Sequence, residues 1–292
     1  MKKIIPFIFL FSFSVLIIFF VSCEKDITVD LPQPESEYVI EGYIEPGQIP
    51  YVLISKTAAY FSAYDSASLQ NSLVKDAVVT ISNGDTTYNL SSPLAQGFFY
   101  FEPTFSLVGE VGKTYTLHIT TPDGKEITSQ TTILPPVPLD SIWFKVQPTY
   151  DSLGFVWAHM HDPDAIGNCY RWFAKRLGKD DQFIAPYGSE FEDKFINGKS
   201  FDFAYNRGAE PNSTSADDTN AEEGFFKDKD TVVVKFCVIT RESFDFWRLS
   251  ETQAGNNGNP FGSITPVPSN IVGGIGIWEG ISPSYDTVIC KK

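Results

Sequence analysis

Lys75-Asp76-Ala77-Val78-Val79-Thr80-Ile81-Ser82-Asn83-Gly84-Asp85-Thr86-Thr87-Tyr88-Asn89-Leu90 reads as a complete β-hairpin. Ala77, Val79 and Ile81 alternate with Val78, Thr80 and Ser82, the period of a strand with one face against a core. Asn83-Gly84 separates this run from Asp85–Leu90. It predicts a two-residue turn with positive φ at both central residues. The same period continues outward: Tyr38, Ile40 and Ile44 alternate with Val39, Glu41 and Tyr43, and Tyr115, Leu117 and Ile119 with Thr114, Thr116 and His118. Turn signals stand between the runs at Pro46-Gly47, Gly97, Gly109 to Gly112 and Pro122-Asp123-Gly124. About seven short strands over residues 37–133 predict an antiparallel sandwich of immunoglobulin-like or transthyretin-like kind. Residues 60–73 interrupt the alternation and are expected to form a longer loop, a candidate contact surface.

Leu134-Pro135-Pro136-Val137-Pro138 should end the first unit, because consecutive prolines cannot donate to a sheet and favour a stiff, extended connector. The expected division is therefore 37–134 for the sandwich and 139–292 for a second β-rich domain, each with its own core. Strands are expected at Asp140–Gln147, Tyr150–Met160, Cys169–Leu177, the Phe-rich stretch 191–203 and Asp230–Thr240. Arg241–Ala254 is the one helix predicted beyond the N-terminal segment, capped by Thr240 and stopped at Gly255. All-β architecture follows.

The N-terminus carries an address. Lys2 and Lys3 precede an apolar run from Ile4 to Val21 and then Ser22-Cys23, which reads as a lipoprotein signal peptide over residues 1–22, with an uncleaved membrane anchor as the alternative. Cys23 is the expected lipidation site, carrying several acyl chains such as palmitate and so satisfying the two-signal rule for stable membrane attachment. Residues 23–36, polar and proline-bearing, are expected to be a tether. The whole chain carries a formal charge of −14; without Lys2 and Lys3 the balance is 20 basic against 36 acidic residues, or −16. That charge argues against nucleic acid as a partner. With 25 Phe and 13 Tyr, the chain has ample material for packed cores.

Three further cysteines, Cys169, Cys237 and Cys290, allow at most one intramolecular disulfide, and their spacing fits no zinc motif. Cys237 reads as a small core residue. His159 and His161 share one strand face and could hold a metal with a third ligand from elsewhere, but the remaining histidine, His118, falls on another strand. The acidic segment 209–224 does not match a calcium-loop spacing. No Gly-x-Ser-x-Gly elbow occurs. The cluster Gly273-Gly274-Ile275-Gly276 lacks nucleotide-loop spacing and is expected to permit a bend or the close approach of another backbone. Trp143, Trp157, Trp172, Trp247 and Trp278 all lie beyond residue 139; strand aromatics are mostly core, and a sugar- or peptide-binding groove is the alternative. No catalytic, cofactor or metal residue is assigned from the sequence.

Asn257-Gly258-Asn259-Pro260-Phe261 and Pro266-Val267-Pro268-Ser269-Asn270-Ile271-Val272-Gly273-Gly274-Ile275-Gly276-Ile277-Trp278 resemble the signature end of a family of Bacteroidota surface lipoproteins of unknown function. Val39–Gly42, Lys75–Ile81, Gly112–Leu117, Asp162-Pro163 with Tyr170, and Phe195–Gly198 extend the resemblance over the chain. It implies an outer-membrane lipoprotein encoded near a TonB-dependent transporter. Glu24-Lys25-Asp26 also resembles the signal for surface display in such bacteria. The function this implies is that of a non-catalytic accessory, binding or presenting a peptide or glycan to the transporter. A structural or adhesive surface protein and a hydrolase are the alternatives.

Overall fold

The computed structural model describes residues 35–58, 66–92, 99–208, 224–255 and 265–292. Cys23, the signal segment and most of the tether lie outside them, as do 60–65, 209–223 and 256–264 of the segments singled out above. Residues 36–292 form one compact unit. Along the first half run β1 (Tyr38–Ile44), β2 (Tyr51–Lys56), α1 (Ser66–Ser72), β3 (Val78–Ser82), β4 (Thr87–Leu90), β5 (Phe99–Phe101), β6 (Thr114–Thr120) and β7 (Glu126–Thr132). The second half continues with β8 (Ser141–Val146), β9 (Leu153–His161), β10 (Cys169–Arg176), β11 (Glu190–Glu192), β12 (Ser200–Tyr205), β13 (Phe226–Lys227) and β14 (Thr231–Ile239). It ends with α2 (Arg241–Gly255), β15 (Ile275–Gly280) and β16 (Ser282–Ile289).

The protein is all-β, and its described residues form four sheets of four strands each. Two sheets, ordered β15-β1-β2-β5 and β4-β3-β6-β7, enclose a first core in which Ile40, Ile44, Val52 and Ile54 of one meet Val79, Ile81, Leu117 and Ile119 of the other. The alternation seen in sequence is this inward face. The hairpin expected at residues 75–90 is present, but its turn differs. Ser82 pairs with Thr87, so four residues make the connection, and only Gly84 has positive φ (93°). Asn83 instead uses its side chain, its Oδ1 accepting from the N–H groups of Asp85 (3.1 Å) and Thr86 (2.9 Å). Its carbonyl-like side chain replaces the backbone strain a two-residue turn would require. Within the expected 60–73 loop, residues 66–72 form the short helix α1.

The second core packs Val156, Ala158 and Met160 of β9 against Tyr170, Trp172 and Ala174 of β10 and Val234, Phe236 and Val238 of β14. Leu134 and Val137 pack on it too, so the proline segment is a seated strap rather than a bare connector.

Two cores exist, yet the chain does not divide at 134–139. After α2 it crosses back, and β15 pairs in parallel with β1, residue for residue from Val39↔Ile275 to Ile44↔Gly280. Gly276 and Gly42 make this possible. A Cβ on Gly276 would stand 1.9 Å from the Ile40 carbonyl oxygen, and one on Gly42 would stand 2.7 Å from the Trp278 ring. Trp278 is wholly buried in the first core, its indole N–H donating to the Tyr115 carbonyl (3.1 Å). Asn270 locks the strand from behind: its Nδ2 donates to the Trp278 carbonyl (2.7 Å) and its Oδ1 accepts the Trp278 N–H (3.0 Å). The glycine cluster thus serves close backbone approach, and the signature stretch is a structural latch.

Candidate functional site

Where β15 and α2 join the two cores, a third apolar group forms from Cys169, Cys237, Ile239, Phe244 and Ile281, with Tyr43 and Phe173 at its margin. Helix α2 begins as expected, with the Thr240 hydroxyl oxygen accepting the Ser243 N–H at 3.3 Å. It rests on β10, β11 and β15 and so touches sheets of both cores. Lys235 of β14 and Glu45 near the end of β1 pair across the same seam.

Charged side chains are buried here. Glu279, fully buried on β15, accepts from the Trp247 indole N–H at 3.1 and 3.2 Å. Burial pushes the Glu279 carboxyl up, against the opposing pull of Arg171 and the bonds from Trp247 and Ser243. Arg171, in the run Tyr170-Arg171-Trp172, lays its guanidinium over the Trp247 ring at 3.9 Å. Its Nη2 lies 3.4 Å from Glu251 Oε1, while Glu251 Oε2 accepts the Gly188 N–H at 2.7 Å. Glu190, opposite Arg171 in register, is 9 % exposed, and its Oε2 has no hydrogen-bond partner among the described residues. Burial and then the Glu251 charge raise the Glu190 pKa.

Between the 184–189 segment and α2 lies an open cavity of about 310 Å³, walled by Ala185, Tyr187, Trp247, Ser250, Glu251 and Ala254. Tyr187 is 68 % exposed at its mouth. From the same seam an aromatic stripe runs over the outer face of the first sheet, Tyr43 to Tyr51 (5.1 Å) and Tyr51 to Phe99 (5.3 Å). The cavity thus offers flat apolar walls and a carboxylate.

The other sequence candidates separate in space. His159 Nδ1 bonds Asp202 Oδ1 (2.5 Å), His161 Nδ1 bonds Ser200 Oγ (3.0 Å), and His118 Nε2 lies 2.8 Å from Glu126 Oε2. Each histidine is held by its own cross-strand neighbour, and no three ligating side chains converge among the described residues. Cys169, Cys237 and Cys290 are buried free thiols. Trp172 and Trp278 are core, whereas Trp143 and Trp157 stack across strands on a half-buried outer face (6.3 Å). Asp162, Tyr170 and the Phe195–Gly198 turn do converge: the buried Asp162 carboxylate accepts from the Tyr170 hydroxyl and from the Gly198 N–H (3.2 Å). Those motif residues tie the end of β9 to β10.

Arg171, Glu190, Glu251 and Glu279 were not singled out by the sequence reading. The available signal was a lone charge inside an apolar run, as in Tyr170-Arg171-Trp172 and Trp278-Glu279-Gly280.

Fold and seam together define an all-β, two-core protein with a preformed aromatic-walled cavity. The chain belongs to the family described as domain of unknown function DUF4249, whose profile matches residues 24–285. A search of curated proteins gives no match.

Proposed function

We propose that this protein is a lipid-anchored outer-membrane accessory that binds a ligand without transforming it and works beside a TonB-dependent transporter at the cell surface. The observation that carries the binding part is the cavity walled by Tyr187 and Trp247, whose volume of about 310 Å³ is at the lower end for small-ligand pockets. It lies beside α2, the helix that packs on strands of both cores. Anchoring rests on Cys23 and the apolar segment before it; the transporter and the surface location rest on the family resemblance. Tethering two partners in one bilayer raises their effective concentration, so a weak contact suffices.

Crosslinking in intact cells followed by capture of the tagged protein tests the partnership. One dominant transporter should be recovered, and Cys23→Ser should abolish both metabolic fatty-acid labelling and that recovery. Capture of extracellular polymer alone, at transporter levels no higher than for an unrelated lipoprotein, would favour the adhesive reading. Labelling that survives Cys23→Ser would remove the lipid anchor at that residue.

A further inference from the structure

We propose that the cavity between the 184–189 segment and α2 takes the cationic side chain of a basic peptide, an ammonium or guanidinium on an aliphatic stem. The inference rests on reading the cavity as a ligand site and names its ligand class.

Charge at the seam is out of balance. Three carboxyl groups, Glu190, Glu251 and Glu279, share one buried guanidinium, that of Arg171; Arg248 of α2 also acts on Glu190 but is exposed and lies 3.6 Å from Asp245. Arg171 offsets them only in part, since burial still leaves the Glu190 and Glu279 carboxyls raised. It is turned onto the Trp247 ring, and its 3.4 Å approach to Glu251 is long for a charge-assisted bond, which usually falls near 2.7–2.9 Å. Glu190 is left with a buried, unpartnered oxygen although Arg171 stands opposite it in register. Glu190 is not among the residues that wall the cavity, so its carboxyl acts on an incoming cation through space rather than by contact. Its raised pKa, with Glu251 as the leading charge effect after burial, is what two poorly compensated carboxylates produce.

Wall composition supplies the rest of the recognition. Ala185 and Ala254 leave room, Tyr187 and Trp247 present ring surface along which a methylene stem can lie, and Glu251 supplies the carboxylate in the wall. An anionic ligand would add negative charge to a group already in excess of it, in a chain of formal charge −14. A cation relieves both.

Isothermal titration of the lipid-free protein with acetyl-Gly-Lys-Gly-amide, and with its norleucine and glutamate counterparts, provides the test. Norleucine keeps the stem and removes the charge. The lysine peptide should bind at least about tenfold more tightly than norleucine, and the glutamate peptide should show no heat. Glu251→Gln and Glu190→Gln should each cut lysine affinity several-fold while leaving norleucine affinity unchanged, and added salt should weaken lysine binding. Equal binding of lysine and norleucine overturns the cationic class and leaves an apolar ligand site standing. Lysine binding unaffected by either glutamine variant places the peptide elsewhere and overturns the assignment. Failure of all three peptides to bind overturns the cavity as a ligand site altogether.

Discussion

Trp278→Ala removes the side chain on which β15 meets β1. The ring is wholly buried, lies against Gly42 and is bonded to the Tyr115 carbonyl. A buried tryptophan hides on the order of 200 Å² of surface. At about 25 cal/mol per Å² that corresponds to ~5 kcal/mol, in line with the ~3–5 kcal/mol usual for truncating a large aromatic in a core. The orphaned Tyr115 carbonyl adds about 1 kcal/mol. The expected loss is therefore about 4–6 kcal/mol, against a total domain stability of about 5–15 kcal/mol. Urea denaturation of residues 24–292, followed by far-ultraviolet circular dichroism, should show the midpoint falling by roughly 2 M. Should the alanine variant fail to accumulate, Trp278→Phe keeps most of the apolar area and should lower stability by about 1–2 kcal/mol. Fragment 37–134 lacks β15 and should show no cooperative transition. A midpoint for Trp278→Ala within about 0.3 M of the parent, or a cooperative transition of that fragment at the parent midpoint, would refute a first core completed by the C-terminal strand.

Glu102 predicts an acid sensitivity. Its burial would raise the pKa, but the hydroxyl of Thr104 and the N–H groups of Thr104, Ser106 and Leu107 outweigh it and hold the carboxyl at about 2. Because the folded pKa is depressed, its contribution to stability is present above the ordinary carboxylate pKa and is lost as pH falls from about 4.5 towards 2. Glu102→Gln should flatten that part of the stability–pH curve measured by urea midpoint; an unchanged slope would contradict the assignment. Burial pushes the thiols of Cys169 up to about 11 and of Cys290 up to about 12, and raises Cys237 as well. All three should react with an aromatic disulfide reagent only after denaturation, and three thiols titrating rapidly in the native protein at pH 8 would contradict their burial.

Strands with one wet face were legible in the sequence, because there the pleat writes its period of two directly: β1, β3 and β6 follow their alternation residue by residue. What escaped notice lacked a period. β15 is buried along Gly276–Gly280, with glycines where a strand would show side chains, so it does not alternate. Its partner lies at the other end of the chain, and no local pattern names a parallel neighbour. The turn after Ser82 was recognised by composition but not by type, since Asn83 satisfies the same sequence rule through its side chain. The seam site was invisible for a similar reason. Arg171, Glu190, Glu251 and Glu279 sit on four elements and form no spaced motif, and only burial reveals that they face one another.

The pairing of residue 40 with residue 276 also sets an order of events. Closing a loop of that length costs roughly 3 kcal/mol more than closing the short hairpin between β1 and β2, and non-local parallel pairing is slow. A chain delivered from its N-terminus exposes Ile40, Ile44 and Tyr115 long before Trp278 exists to cover them. Its first core cannot finish until Trp278 has arrived. The first half is therefore held open until β15 has emerged, and whatever guards the growing chain must guard that half for the whole of the interval.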